Sequence, residues 1–348
     1  MNLIDCVAQS HTPFVVRDDT SGKVTTLNNT ADCAALVARC ALRYVLTDDL
    51  TRLCADLAYS KGARTVACAD LLHVPAEALW VEWCNEPWKN ALQRYGFPLI
   101  PAGAQWVGRR GAWIRASRDG RRGLVRTFWS TTAADALAGS VEAYFDLDTV
   151  AGEEPEPPDR QAGSAARVYD SERSDDDILG RCFRFRYEQS WSEYYGSAGL
   201  SRELSFAVWR HAVGTIAMDV PMLLTFFLLL ATRNGLPQRA QAFEHLNRRR
   251  RQYGKEPLLD HIEVRAPVLP EYREYQRGET RTTRLSPRLH HVRGHLVRRG
   301  SQIFWRVPHL RGSARSGVVR TRTVTWTFEK GRAGYATEAM SAAAGCAH

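Results

Sequence analysis

Leu79-Trp80-Val81-Glu82-Trp83 is the stretch from which the fold is read. Its side chains alternate with a period of two, the mark of a strand, which puts Trp80 and Glu82 on one face. Short strands are predicted to follow at Gln105–Gly108, Ala112–Ser117 and Gly123–Ser130. Arg109-Arg110-Gly111 punctuates them, and Asp119-Gly120 closes a hairpin because these residue types accept the turn conformations a hairpin requires. Val141–Leu147 reads as one more strand. Residues 75–150 thus read as a mostly antiparallel sheet rich in Trp.

Upstream, Asp32–Leu46 carries apolar residues at helical spacing, Leu36, Val37, Cys40, Ala41, Tyr44 and Val45. Asn29 or Thr30 caps that helix, and Thr47 caps a second one running to about Ser60, giving a helical hairpin. Residues 1–150 therefore form an N-terminal α+β region. An acidic, Pro-rich linker or loop follows at 151–177, and residues 146–177 hold eleven acids against three arginines, too few apolar groups to build a core.

A helical region is predicted over 178–256. Leu204–Met218 and Pro221–Thr232 are two helices or one kinked at Pro221. Gln238–Tyr253 reads as a basic helix ending in Arg248–Arg251, where cations suit the negative end of the helix dipole. A patch for nucleic acid is the alternative reading of the same four arginines. A basic β module spans 257–330, with strands at His261–Arg265, Val292–Arg298, Gln302–Val307 and Val318–Phe328 and a turn at Arg299-Gly300. Ile303 and Phe328 are predicted to face inward. Residues 331–348 form an Ala- and Gly-rich tail. The fold class is α+β: helical segments, a Trp-rich antiparallel sheet and a C-terminal Arg/His-rich β module.

The chain of 348 residues is 44% hydrophobic and 24% charged, an ordinary globular composition. Its most apolar run, Val220–Ala231, falls short of the roughly 20 residues a membrane span needs, and Asp219 opens it. It reads as a buried core helix, and no membrane partner is expected. Asp5, Gln9 and His11 interrupt any apolar leader, so the expected location is the cytoplasm. The eight cysteines form no Cys-x-x-Cys pair and read as buried free thiols in a reducing compartment. No phosphate loop, dinucleotide fingerprint, nucleophile elbow or paired-carboxylate signature occurs, so no cofactor and no metal is expected.

The formal charge of +9 is concentrated. Arg281–Phe328 carries eleven arginines and no carboxylate. Arg grips phosphate or carboxylate through a planar fork, whereas Lys is a point charge. On one strand, His291, Arg293 and His295 share a face, an arrangement that suits an anion site. It equally suits metal-independent RNA cleavage, with His291 and His295 as candidate proton carriers and a cation between them. The candidate binding residues are His290, Arg293, Gly294, His295, Arg298, Arg299, Trp305, Arg306, His309 and Arg311. Phe304 and Trp326 read as module core, leaving Trp305 as the exposed ring on which a base would stack. RNA or a ribonucleoprotein is the expected partner.

His290, Arg293, Gly294 and His295, followed by Trp305-Arg306-Val307-Pro308, resemble the C-terminal signature of a family of phage, prophage and plasmid proteins. That family includes the anti-CRISPR protein that suppresses production of the type V (Cpf-type) effector nuclease. Leu79–Trp83 resembles a short aromatic-acidic strand found midway in its members. The match covers about 50 residues of this chain, with Val292 where relatives often carry Arg and Leu296 where they carry Trp. The resemblance implies a mobile-element protein that recognises a nascent polypeptide and acts on RNA or on translating complexes. The rival readings are a nucleic-acid-binding phage or plasmid protein unrelated to CRISPR, and a metal-independent ribonuclease.

Overall fold

The computed structural model describes residues 2–9, 14–17, 24–27, 31–59, 70–95, 108–130, 136–149, 179, 182–197, 201–232, 235–267, 288–292, 295–300, 302–306, 309–311 and 313–318. The linker 151–177, the tail 331–348, Trp326 and Phe328 lie outside them. The described part is α+β. Its largest element is an eight-stranded mixed sheet in the order β8-β7-β6-β5-β4-β3-β10-β9. These strands are β3 (Leu42–Leu46), β4 (Ala78–Cys84), β5 (Arg109–Ala116), β6 (Arg122–Trp129), β7 (Leu137–Asp146), β8 (Phe183–Tyr187), β9 (Gln238–Gln241) and β10 (His261–Val264). From β4 to β8 the neighbours are antiparallel; the sequence indicates this for β4 to β7, whereas β8 falls within 178–256, expected to be helical. Gly120, at φ +71°, makes the β5–β6 turn.

The helical hairpin expected over 32–60 does not form. Helix α2 (Ala31–Ala38) stops early and Leu42–Leu46 is a strand, pairing in parallel with β4 on one side and β10 on the other. A short apolar run buried on both faces carries no usable period, so helix and strand look alike in it. Helix α3 (Asp48–Tyr59) starts where expected, but the Thr47 hydroxyl donates to the Val264 carbonyl instead of capping its own helix. Arg109-Arg110-Gly111 is likewise not a turn but the start of β5. Gly111 is required there because a Cβ would come within 2.5 Å of the Trp80 ring.

One sheet face carries Trp80, Trp113, Leu124 and Phe128 and packs on Leu3, Ile4 and Val7 of α1 (Leu3–Ala8) and on Cys33 and Val37 of α2. On the other, Ile114, Val125 and Phe145 face Val220, Leu223 and Phe227 of a single 29-residue helix, here α6 (Arg202–Leu230). It is one helix through Pro221. The Tyr59 hydroxyl donates to the Met218 carbonyl, in the turn the proline disturbs. Among the described residues α6 alone is long and apolar enough to cross a membrane, and 89% of its apolar window is buried inside the protein. Asp219 of α6 ends a bidentate pair with Arg110 of β5, at 3.0 and 2.5 Å, both side chains fully buried. Burial pushes the Asp219 carboxyl up, against the pull of Arg110. Arg110 also lies 4.6 Å over the Trp88 ring of α4 (Asn85–Arg94), so one guanidinium joins three elements.

Gln238–Tyr253, expected as one helix, divides into the edge strand β9 and helix α7 (Glu244–Gln252). The remaining elements are the strands β1 (Phe14–Arg17) and β2 (Val24–Leu27), paired antiparallel, and helix α5 (Gln189–Ser197). The C-terminal strands are β11 (Arg288–Val292), β12 (His295–Arg299), β13 (Gln302–Arg306), β14 (His309–Arg311) and β15 (Ser313–Val318). The chain divides into two compact units, Met1–Pro267 with Val297–Phe304, and Val268–Leu296 with Trp305–His348. The second holds the sheet β14-β11-β15, while β12 and β13 pair across Gly300, at φ +59°.

Candidate functional site

The C-terminal candidates are not on one strand. β11 ends at Val292, while His295 opens β12, which pairs with β13 in a different sheet. His291 and His295 are thus in separate sheets, and Arg293 and Gly294 between them lie outside the described residues. The register brings other residues together. His290 stands opposite Arg311, and Val292 opposite His309. Opposed residues of a strand pair share a face, as do positions two apart, so 290, 309 and 311 lie on one face and 291 on the other.

The arginines fare unequally. Arg298 is engaged: its two terminal nitrogens donate to both Asp70 carboxylate oxygens at 2.8 and 2.7 Å, and its Nε to the Gly300 carbonyl. Arg299, Arg306 and Arg311 are exposed. Ile303 is buried as expected, but Trp305, expected to be the exposed ring, is buried with it, and Phe304 is half-buried. The two-residue period explains the exchange, because Trp305 has the parity of Ile303. His295 is half-buried.

A second candidate lies in the first unit. A cleft of about 500 Å³ opens between β6 and β7 on one side and α5 and α6 on the other. Trp129, Trp191 and Tyr195 wall it, with Thr127, Ser140, His211 and Thr215 as its polar side chains, the Thr215 hydroxyl donating to the His211 carbonyl. Trp191 stacks on Tyr195 with ring centroids 5.5 Å apart and planes 24° apart. Tyr187 packs against both Tyr195 and Trp209, at 5.0 and 4.6 Å, which fixes the wall from behind. Burial pushes the Tyr195 and Tyr187 phenols up, and neighbouring tyrosine hydroxyls push further, so both remain neutral hydroxyls at physiological pH. The cleft's size, aromatic walls and few polar points suit an apolar ligand with a small number of hydrogen-bonding groups. The sequence carries one trace of it: Tyr187, Trp191, Tyr194 and Tyr195 lie within nine residues, an aromatic density with no motif to mark it as a site.

Glu82, the acid of β4, is buried and structural. Its carboxylate accepts from Leu3 N at 2.8 Å, Ile4 N at 2.9 Å, Trp80 Nε1 at 3.2 Å and Arg109 Nε. It thereby satisfies the first backbone donors of α1, which have no partner within their own helix. Arg126 is held similarly, by Glu142 and by Glu188 at 3.0 Å. Among the described residues no three His, Cys, Asp or Glu side chains gather to hold a metal ion. The described cysteines are free thiols, all buried except the half-buried Cys84.

Comparison with protein-family models, curated proteins and solved structures finds no match to this chain.

Proposed function

We propose that this chain is an interaction protein of a mobile genetic element, anti-CRISPR-like in action, working in the cytoplasm of a bacterial host. Its aromatic cleft receives a short apolar segment of a target polypeptide, and its C-terminal arginines grip RNA or a ribonucleoprotein. The cleft carries the reading. Aromatic walls hold apolar side chains, while Ser140, Thr127 and His211 offer the hydrogen bonds a peptide backbone needs. Support for the anionic partner comes from Arg299, Arg306 and Arg311, exposed within a stretch that has no carboxylate of its own. The resemblance of His290–His295 to the phage and plasmid family points the same way.

Affinity capture of the tagged protein from host cells, with bound proteins and RNA identified, tests it. Ala212→Trp fills the cleft and is expected to lose the polypeptide while keeping RNA. Arg299→Ala with Arg306→Ala is expected to do the reverse. Identical capture by all three proteins refutes the reading.

A specific observation favours a second reading, metal-independent RNA cleavage. The β11–β14 register puts two histidines and an arginine, 290, 309 and 311, on one strand face. RNA cleavage by purified protein in EDTA, abolished by His290→Gln or His309→Gln while binding persists, would establish it in place of the binding reading.

A further inference from the structure

We propose that helix α7 and the residue that follows it, Tyr253, form a nucleic-acid surface that binds single-stranded RNA, in addition to the C-terminal arginines. The helix reads Glu244-His245-Leu246-Asn247-Arg248-Arg249-Arg250-Arg251-Gln252. The favourable field at a helix C-terminus reaches about one turn and accounts for cations that point along the axis. Arg249, Arg250 and Arg251 lie in that last turn, but Arg248 and Arg251, at i and i+3, are neighbouring like charges whose repulsion the dipole offsets only in part.

Their surroundings do little to neutralise them. Arg249 and Arg251 are exposed and make no ion pair or side-chain hydrogen bond among the described residues. Arg248 reaches Glu244 only at 3.7 Å, with both ends largely in solvent. Arg250 donates its Nε to the Glu256 carbonyl, which satisfies a donor and leaves the charge. Lys255, also exposed, adds to the patch.

Two large side chains are exposed on the same face. Leu246, Arg249, Arg250 and Tyr253 fall at i, i+3, i+4 and i+7, one stripe of the helix. Leu246 is 44% exposed and Tyr253 73%. A ring so open, beside uncompensated guanidiniums, suits an unstacked base whose phosphates lie on the arginines. A duplex hides its bases from such a ring.

The platform is fixed before any ligand arrives. Asn247 is buried and pairs with Leu258 in both directions, donating to its carbonyl at 2.8 Å and accepting from its N–H at 2.7 Å. The Asp260 carboxylate accepts from Phe243 N at 2.8 Å, at the head of the helix. Leu259 N in turn donates to Asp5, tying the following segment to α1. These bonds hold the backbone of α7 and leave its outer face to solvent.

The test uses the full-length chain and a fluorescein-labelled twelve-nucleotide oligouridylate, with a twelve-pair RNA duplex as control, read by fluorescence anisotropy. Each α7 variant is made in the wild-type chain and in the Arg299→Ala, Arg306→Ala background, so failure at either surface is seen separately. Arg249→Ala with Arg251→Ala is expected to weaken oligouridylate binding about tenfold or more in both backgrounds and to flatten its salt dependence. Tyr253→Ala is expected to weaken the single strand about five- to tenfold and the duplex less than twofold, with Tyr253→Phe like wild type. Oligouridylate binding unchanged by the α7 arginines in the Arg299→Ala, Arg306→Ala background overturns the proposal. So does a Tyr253→Ala effect equal on single strand and duplex, or loss of a captured acidic protein with RNA binding intact.

Discussion

Replacing Glu82 by Ala is expected to destabilise the protein by about 4 kcal/mol, as for other broken buried ion pairs. Four donors converge on this carboxylate, from Leu3, Ile4, Trp80 and Arg109, and its side chain is sealed from solvent. Each buried donor left without an acceptor costs about 1–3 kcal/mol. The four do not add, because Arg109 is partly exposed and can turn to water, and the start of α1 can fray. The Trp80 indole cannot move, being packed on Phe128 at 5.2 Å. Glu82→Gln keeps the volume and one acceptor oxygen, but aims an NH2 at donors, and is expected to cost about half as much. Urea unfolding followed by Trp fluorescence gives the stability, and amide hydrogen exchange at Leu3 and Ile4 reports on α1. A loss under about 1 kcal/mol for Glu82→Ala, with both amides still protected, would refute the account of Glu82 as the anchor of α1.

Other perturbations separate structural from functional charges. Arg110→Met is expected to cost about 3–5 kcal/mol by stranding Asp219, and Arg110→Met with Asp219→Leu to recover most of it in the same urea assay; a double variant no more stable than the single contradicts this. Burial pushes the Cys40 thiol up to about 11 from 9.0. The raised folded value means this contribution is fully present below pH 9.0 and lost as pH rises through about 11, so Cys40→Ala should flatten the loss of stability measured across that window. Asp70→Asn should release the Arg298 fork at a cost under about 1 kcal/mol, since both side chains are partly exposed. If Arg298 lies on the RNA path, the slope of log affinity against log salt should steepen by about 0.7; an unchanged slope places it off that path.

Strands β4 to β7 of the antiparallel half were legible because one-residue alternation and Asp119-Gly120 are local signals, whereas β8 lies in a stretch read as helical. The parallel half was not. Leu42–Leu46 owes its strand state to β10, whose partner residues are more than 200 positions away, and an apolar run buried on both faces looks the same in either conformation. Gln238–Gln241, polar and mostly exposed, became a strand because an antiparallel partner, β10, was available at the sheet edge. Arg110 misled in the opposite sense. Two arginines and a glycine read as a turn until Asp219 and Trp88 supplied a buried partner for the charge.

The candidate site shows how far a charge run can be read without its partners. Eleven arginines without a carboxylate in 281–328 suggested that the whole run awaits an anion. Arg298 already has one, contributed by Asp70 from 228 positions away. Composition over a window measures only local compensation, whereas a folded chain neutralises charge through space. Among the described residues, those open to an anion, were one to bind, are the exposed Arg299, Arg306 and Arg311, and the positions the register gathers are His290, Arg311 and His309. Helix α7 shows the converse. Its arginines sit in a shorter and less pure run, yet the fold places no carboxylate within pairing distance of Arg249 or Arg251 among the described residues. Uncompensated charge in the folded chain, and not arginine density in the sequence, is what should decide which surface the proposed RNA partner would meet first. A variant series that removes arginines one at a time should therefore lower affinity most where the charge has no partner, with Arg298→Ala, already paired with Asp70, the mildest of the C-terminal set.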